Sequence, residues 1–180
     1  MYEEIITPVT YMIGIIVVVF FAVAGLCLKM DSNAQTYCND AIVEFVDKSR
    51  ASGYISAESY IEMMSRLGDT NNLYDVSIMH QSQTLVPYTD DNGNELGGIT
   101  YAYNTYYKDE IVGYIFADDG IEGYHNYSLK NGDYLKVSFK LEEPTFATKL
   151  ITFFSPRTPK TISGSYGGYV GSTEDYGTAY

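Results

Sequence analysis

The residues with chemistry to offer are few: two histidines, two cysteines, two acidic loops and a cluster of tyrosines. His80 and His125 are far apart in sequence, and neither has the Glu or Cys spacing of a metal site or the partners of a catalytic triad. His80 falls on an alternating strand pattern and is expected to be structural. The chain holds no phosphate-binding G-x-x-x-x-G-K-[ST], no G-x-S-x-G and no H-E-x-x-H. The first acidic loop, Asp90 to Glu95, imitates a calcium loop, but Glu95 stands where the sharp turn needs Gly. The second, "FADDGIEG", offers Asp118, Asp119 and Glu122. Turn chemistry accounts for both loops, so no metal is expected. Asn126-Tyr127-Ser128 is a glycosylation-type triplet, a pattern common by chance. No cofactor and no enzymatic activity are expected.

Charge narrows the partners. The chain has 180 residues and a net charge of −12; setting aside Glu3, Glu4 and Lys29 leaves 21 acidic against 10 basic residues. Phosphate contacts need Lys and Arg, so nucleic acid is excluded as a partner. A domain lying flat on anionic lipid is disfavoured for the same reason. Nineteen Tyr, 16 Gly and no Trp give a composition that leans extracellular. Tyr combines apolar area with a polar tip and suits half-buried sheet faces and protein contacts.

The elements must now be placed. From Ile5 to Leu28 there are 24 residues without a charge, and about 20 apolar residues span a bilayer core as a helix. A cleaved signal wants a basic start and a shorter core; this start is acidic, so a retained transmembrane helix is expected. Nothing breaks the helix after it. Ala34, Cys38, Ala41, Ile42, Phe45 and Val46 make one apolar stripe with Asp40, Glu44, Asp47 and Lys48 elsewhere, which is amphipathic helical spacing. Lys48, Arg50 and Gly53 are stop signals. One helix is therefore predicted from about Ile5 to Ser52. On it Cys27 and Cys38 lie about 16 Å apart, beyond disulfide reach.

A second helix is expected after Ser56 as N-cap, with Ile55 and Tyr60 as a staple, Ile61, Met64 and Leu67 on its face and Gly68 at its end. Strands follow. "YDVSIMH" alternates at Tyr74, Val76, Ile78 and His80. Asn92-Gly93 signals a hairpin before Ile99, Tyr101, Tyr103 and Thr105. "KDEIVGYIF" reads as a short helix capped by Asp109. After the Asn131-Gly132 turn, Leu135, Val137, Phe139 and Leu141 alternate. "TFATKLITFF" gives a helical turn or two, "TISGSYGGYVG" a last strand, and "STEDYGTAY" a poorly ordered tail. On a continuous strand Tyr101, Tyr103 and Tyr107 share one face and Tyr106 takes the other; together they are the candidate interaction surface.

The fold class is thus α+β: a long helix, transmembrane then amphipathic, packed on a small antiparallel sheet. Residues 1–30 form the membrane helix and 31–180 one extracytoplasmic domain. In order of elements this resembles the type IV pilin plan. Within it, the chain is similar to the TadE-like pseudopilins and minor pilins of Gram-positive anaerobes. The resemblance rests on "AIVEFVDKSRASGYISAESYIEMMSRL", "YDVSIMH", "LKNGDYLKVSFKLEEPTFATKL" and "SYGGYVG". It implies a non-enzymatic subunit for assembling a type IV or Tad-like pilus or a surface secretion apparatus. Its partners would be membrane lipid and other pilin-like subunits or assembly-platform proteins, in a homo- or hetero-oligomer. Glu3, Glu4, Gly14, Val18, Ala22 and Gly25 are the membrane and assembly positions of the helix. Glu3 and Glu4 are its candidates for the pilin glutamate that neutralises a neighbour's terminal amine, though neither stands fifth. A single-pass protein with its large domain outside the cell is expected on composition, although Lys29 after the helix votes the other way under the positive-inside rule. The alternative is a membrane-tethered extracellular binding or adhesion module.

Overall fold

The computed structural model describes residues 2–89, 95–118, 123–154 and 161–171. In chain order the elements are α1 (Tyr2–Ser52), β1 (Tyr54–Ile55), α2 (Ala57–Gly68), β2 (Tyr74–Thr89), β3 (Glu95–Tyr107), α3 (Lys108–Ile115), β4 (Tyr127–Ser128), β5 (Tyr134–Leu141), α4 (Phe146–Phe154) and β6 (Ser163–Tyr169). The main sheet has strand order β3-β2-β5-β6, every pair antiparallel, and β1 pairs with β4 in a separate ribbon. The fold is α+β, a long helix on an antiparallel sheet, consistent with a pilin-like fold.

α1 runs 51 residues without interruption, about 76 Å at the standard rise. It stops where Gly53, at φ +74°, takes the left-handed position past the last turn and its N–H reaches Ser49 O at 3.0 Å. The predicted stripe is the buried one: Cys38, Ala41, Ile42, Phe45 and Val46 lie in the core, with Ala34 at its edge. Facing them, Val76 and Ile78 of β2 alternate inward, as do Leu135, Val137, Phe139 and Leu141 of β5. Both cysteines are free.

β6 lets α1 come close. Gly164 pairs with Phe139, and a Cβ there would lie 2.6 Å from the Phe139 ring and run into Asn39. Gly168 lies beneath Arg50, whose Nε donates to Tyr169 O at 2.7 Å. Gln35 holds the same strand from both sides, accepting from Ser163 N and donating to Ser163 O at 3.0 and 2.8 Å. Gly164→Ala is therefore expected to destabilise the protein by about 1–3 kcal/mol, an overpacking cost. Gly171→Ala, with nothing within 4 Å of its Cβ, is the control. Denaturant midpoints measure both, and equal midpoints would show that α1 and β6 are not in close contact.

Some local expectations change. α2 begins at the Ser56 cap, whose Oγ accepts from Ser59 N at 3.2 Å. Its buried face is Ala57, Met63 and Leu67; Ile61 is exposed and Met64 half-buried. Gly68 stays helical, and the left-handed residue is Asn71, at φ 57°. α3 is capped at Tyr107, whose N–H meets Glu110 Oε2 at 3.0 Å, so Asp109 lies inside the first turn.

The larger change concerns β2, twice the length its alternation suggested. Its first half, Tyr74–Gln81, pairs with β5, and its second, from Met79, pairs with β3. The two pairings overlap at only three residues, Met79 to Gln81. Beyond them β2 and β3 continue as a two-stranded arm outside the main sheet. The hairpin signal Asn92-Gly93, the acidic-loop residues Asp90, Asp91, Asn94, Asp119 and Glu122, and the tail from residue 172 lie outside the described residues.

Candidate functional site

Three regions carry functional potential: the N-terminal half of α1, the arm, and the arm's root. α1 is one helix long and apolar enough to cross a membrane, and no residue of its most apolar stretch is buried by the rest of the chain. Val18 is 69% exposed and Phe21 68%. Nothing lies within 4 Å of a Cβ built on Gly14 or Gly25, and Ala22 is exposed. Gly14, Val18, Ala22 and Gly25 follow one another at intervals of four, four and three, so they share one side of the helix. A helix apolar all round needs an apolar surrounding, and this chain buries none of the stretch. Glu3 and Glu4 lie in the first turn of α1.

On the arm, Tyr101, Tyr103 and Tyr107 do share one face, with Leu85 and Ile99 beside them. Tyr103 is 61% exposed, and the others are exposed as well. Across the main sheet the same face is polar, through Ser77, Lys136 and Ser138. From Val76 to Thr89 and from Leu96 to Tyr107 there is no Asp, Glu, Lys or Arg. The face is thus uncharged and aromatic on a strongly acidic chain.

Tyr106 is separate, as the alternation requires. It pairs with His80 and stacks on its ring, centroids 5.6 Å apart. His80 is the centre of the arm's root. Its Nε2 lies 2.8 Å from Asp133 Oδ2, and its Nδ1 lies 2.9 Å from the Tyr127 hydroxyl. Asp133 follows the Lys130–Asp133 turn, where Gly132 takes φ +88°. It also accepts from Lys130 N at 2.7 Å and from Gln83 N at 3.3 Å. The second bond occupies the edge of β2 just where β5 ends.

Electrostatics set the direction of this chain of bonds. Burial would raise the Asp133 carboxyl, but the Lys130 amide, His80 and Ser82 outweigh it and hold it below the usual carboxylate range. Burial first, then the charges of Tyr106, Glu110 and Asp133, push the Tyr127 hydroxyl up to about 12. Tyr127 therefore donates to His80 Nδ1, and His80 Nε2–H donates to the Asp133 anion. Both imidazole nitrogens are engaged and the residue is 3% exposed, so it has no free edge to offer a substrate. The arrangement is a clamp joining β2, β3, β4 and the turn before β5. His125 reaches the same aromatic group through Tyr114, which touches Tyr127.

Asp133 was not legible as a site residue; its only signal was an acid placed directly after a turn glycine and before an alternating strand. Among the described residues no group of three or more His, Cys, Asp or Glu is placed to hold a metal. Comparison with known proteins returns no match among family models, curated proteins or solved structures.

Proposed function

We propose that the chain is a non-enzymatic, membrane-anchored, pilin-like subunit, with its large domain outside the cell, that serves assembly of a type IV or Tad-like pilus or a surface secretion apparatus. One observation carries the reading. A single helix is unburied by its own chain along its N-terminal half and is the spine of the domain core along its C-terminal half. Such a helix can sit in lipid first and against neighbouring helices later without refolding. The side bearing Gly14, Val18, Ala22 and Gly25 has the small residues that let helix backbones approach in a bilayer. In this reading the partners are lipid and other helices of the same kind.

Cysteine cross-linking in membranes tests assembly. Cys38 is buried, so a Cys27→Ala background leaves one introduced thiol at Gly14, Val18 or Ala22. Disulfide-linked dimers at these positions, and weaker linkage on the opposite side at Ile16, are expected. Monomers at every position would remove the assembly reading.

The exposed, uncharged aromatic face of the arm favours a second reading, a tethered binding or adhesion module. It predicts no helix cross-links and a loss of surface binding when Tyr101 and Tyr103 become Ser.

A further inference from the structure

α4 has no part in the readings above, yet its position is unusual. It carries one charge, Lys149, in nine residues. Thr145 fixes its start: the hydroxyl donates to Asp31 Oδ2 of α1 at 2.6 Å and accepts from Thr148 N at 3.1 Å. Asp31 stands three residues past Leu28, the end of the charge-free run. From there α4 turns back along α1. Its Leu150 and Ile151 come opposite Phe21, Gly25 and Leu28, and the two helices enclose a groove of about 610 Å³ whose lining residues are all apolar. Phe146, one turn before Leu150 on α4, is 64% exposed.

We infer that α4 is a second membrane element: a short helix that dips into the bilayer beside α1 and takes lipid acyl chains into the groove between them. The inference rests on the membrane reading of α1. Leu28 to Phe21 is seven residues, or about 10 Å of helix. Amphipathic helices at an interface bury their apolar face to a depth of about 5–10 Å, so the groove lies at acyl depth if Leu28 marks the boundary. Lys29 and Lys149 stand at that boundary, where long basic side chains reach back to the headgroups. The groove is continuous with the uncovered surface of the span, so whatever solvates the span meets the groove mouth. Acyl chains are that solvent. The domain is thereby held at a fixed height, with its base in the membrane.

The chain has no Trp, which makes single-Trp depth measurement clean. Full-length Val18→Trp, Leu150→Trp, Phe146→Trp and Tyr103→Trp proteins would each be reconstituted in phosphatidylcholine vesicles at high lipid excess, with and without bromine on the acyl chains near the headgroup. Circular dichroism would confirm folding, and Phe146→Trp covers the case in which Leu150→Trp misfolds. The expected result is blue-shifted emission and loss of most of it on bromination for Val18→Trp, Leu150→Trp and Phe146→Trp, with Tyr103→Trp unaffected. Quenching of Val18→Trp while Leu150→Trp and Phe146→Trp keep their emission would overturn the role of α4 and leave the anchor standing. No quenching of Val18→Trp would overturn both. Quenching of Leu150→Trp that disappears as protein density rises would show a second copy covering the groove, and would overturn the assignment to lipid.

Discussion

A chain with lysine at both Val18 and Phe21 is expected to leave the membrane fraction and appear as folded soluble protein. The 14 Ile, Val, Leu and Phe residues between Ile5 and Leu28 each favour insertion by about 0.3–0.6 kcal/mol, a sum of about 4–8 kcal/mol. A lysine near the helix centre costs about 2.5–3.5 kcal/mol. One lysine therefore leaves most of the drive in place, while two, which also remove a Val and a Phe, cancel it. The domain should survive because neither residue belongs to its core: both are exposed, and the buried residues of α1 begin at Cys38, about two turns past Asp31. Membrane fractionation after an alkaline wash, with circular dichroism of the released protein, is the measurement. Full retention of the double variant would mean that something other than this stretch holds the protein.

The second large effect is expected at the arm's root. Asp133→Ala should cost about 3–5 kcal/mol, because it leaves the His80 N–H buried, and the Lys130 and Gln83 amides part-buried, without their acceptor. Asp133→Asn should cost less, since the amide oxygen can still accept, and it should also alter the response to acid. The folded carboxyl titrates below its unfolded value of about 3.9. Its contribution is thus complete above that value and is lost as the pH falls through the folded one. In urea melts of the detergent-solubilised full chain, the native protein should weaken as the pH drops below about 4, and Asp133→Asn should weaken less steeply. Parallel acid slopes for the two proteins would show that the Asp133 carboxylate does not stabilise the fold.

The parts of the fold that follow from periodicity were legible. The stripe from Ala34 to Val46 and the alternation from Leu135 to Leu141 need only local sequence, and each lies where its period places it. The tyrosine faces were legible for the same reason. What escaped depends on distant partners. The alternation of "YDVSIMH" gave no sign that β2 runs on to Thr89, because beyond Gln81 it has lost β5 and both faces of the arm are open, so inward and outward positions no longer differ in polarity. Ile61 looked like a core residue because helical spacing defines a face without saying which side the rest of the protein covers. Asp133 draws its role from His80, Tyr127 and Gln83, none within five residues of it. The placement of α4 beside α1 includes a bond between Thr145 and Asp31, 114 residues apart.

The absence of a break in α1 has a mechanical side. From Val17, near the middle of the apolar run, to Ser52 is 35 residues, about 52 Å of rigid rod. A tilt of about 20°, ordinary for a membrane helix, would swing the far end roughly 18 Å sideways. If α1 spans a bilayer as proposed, with no hinge between lipid and domain a pull on the arm would arrive in the bilayer as torque, and a reorientation of the rod would arrive at the arm as displacement.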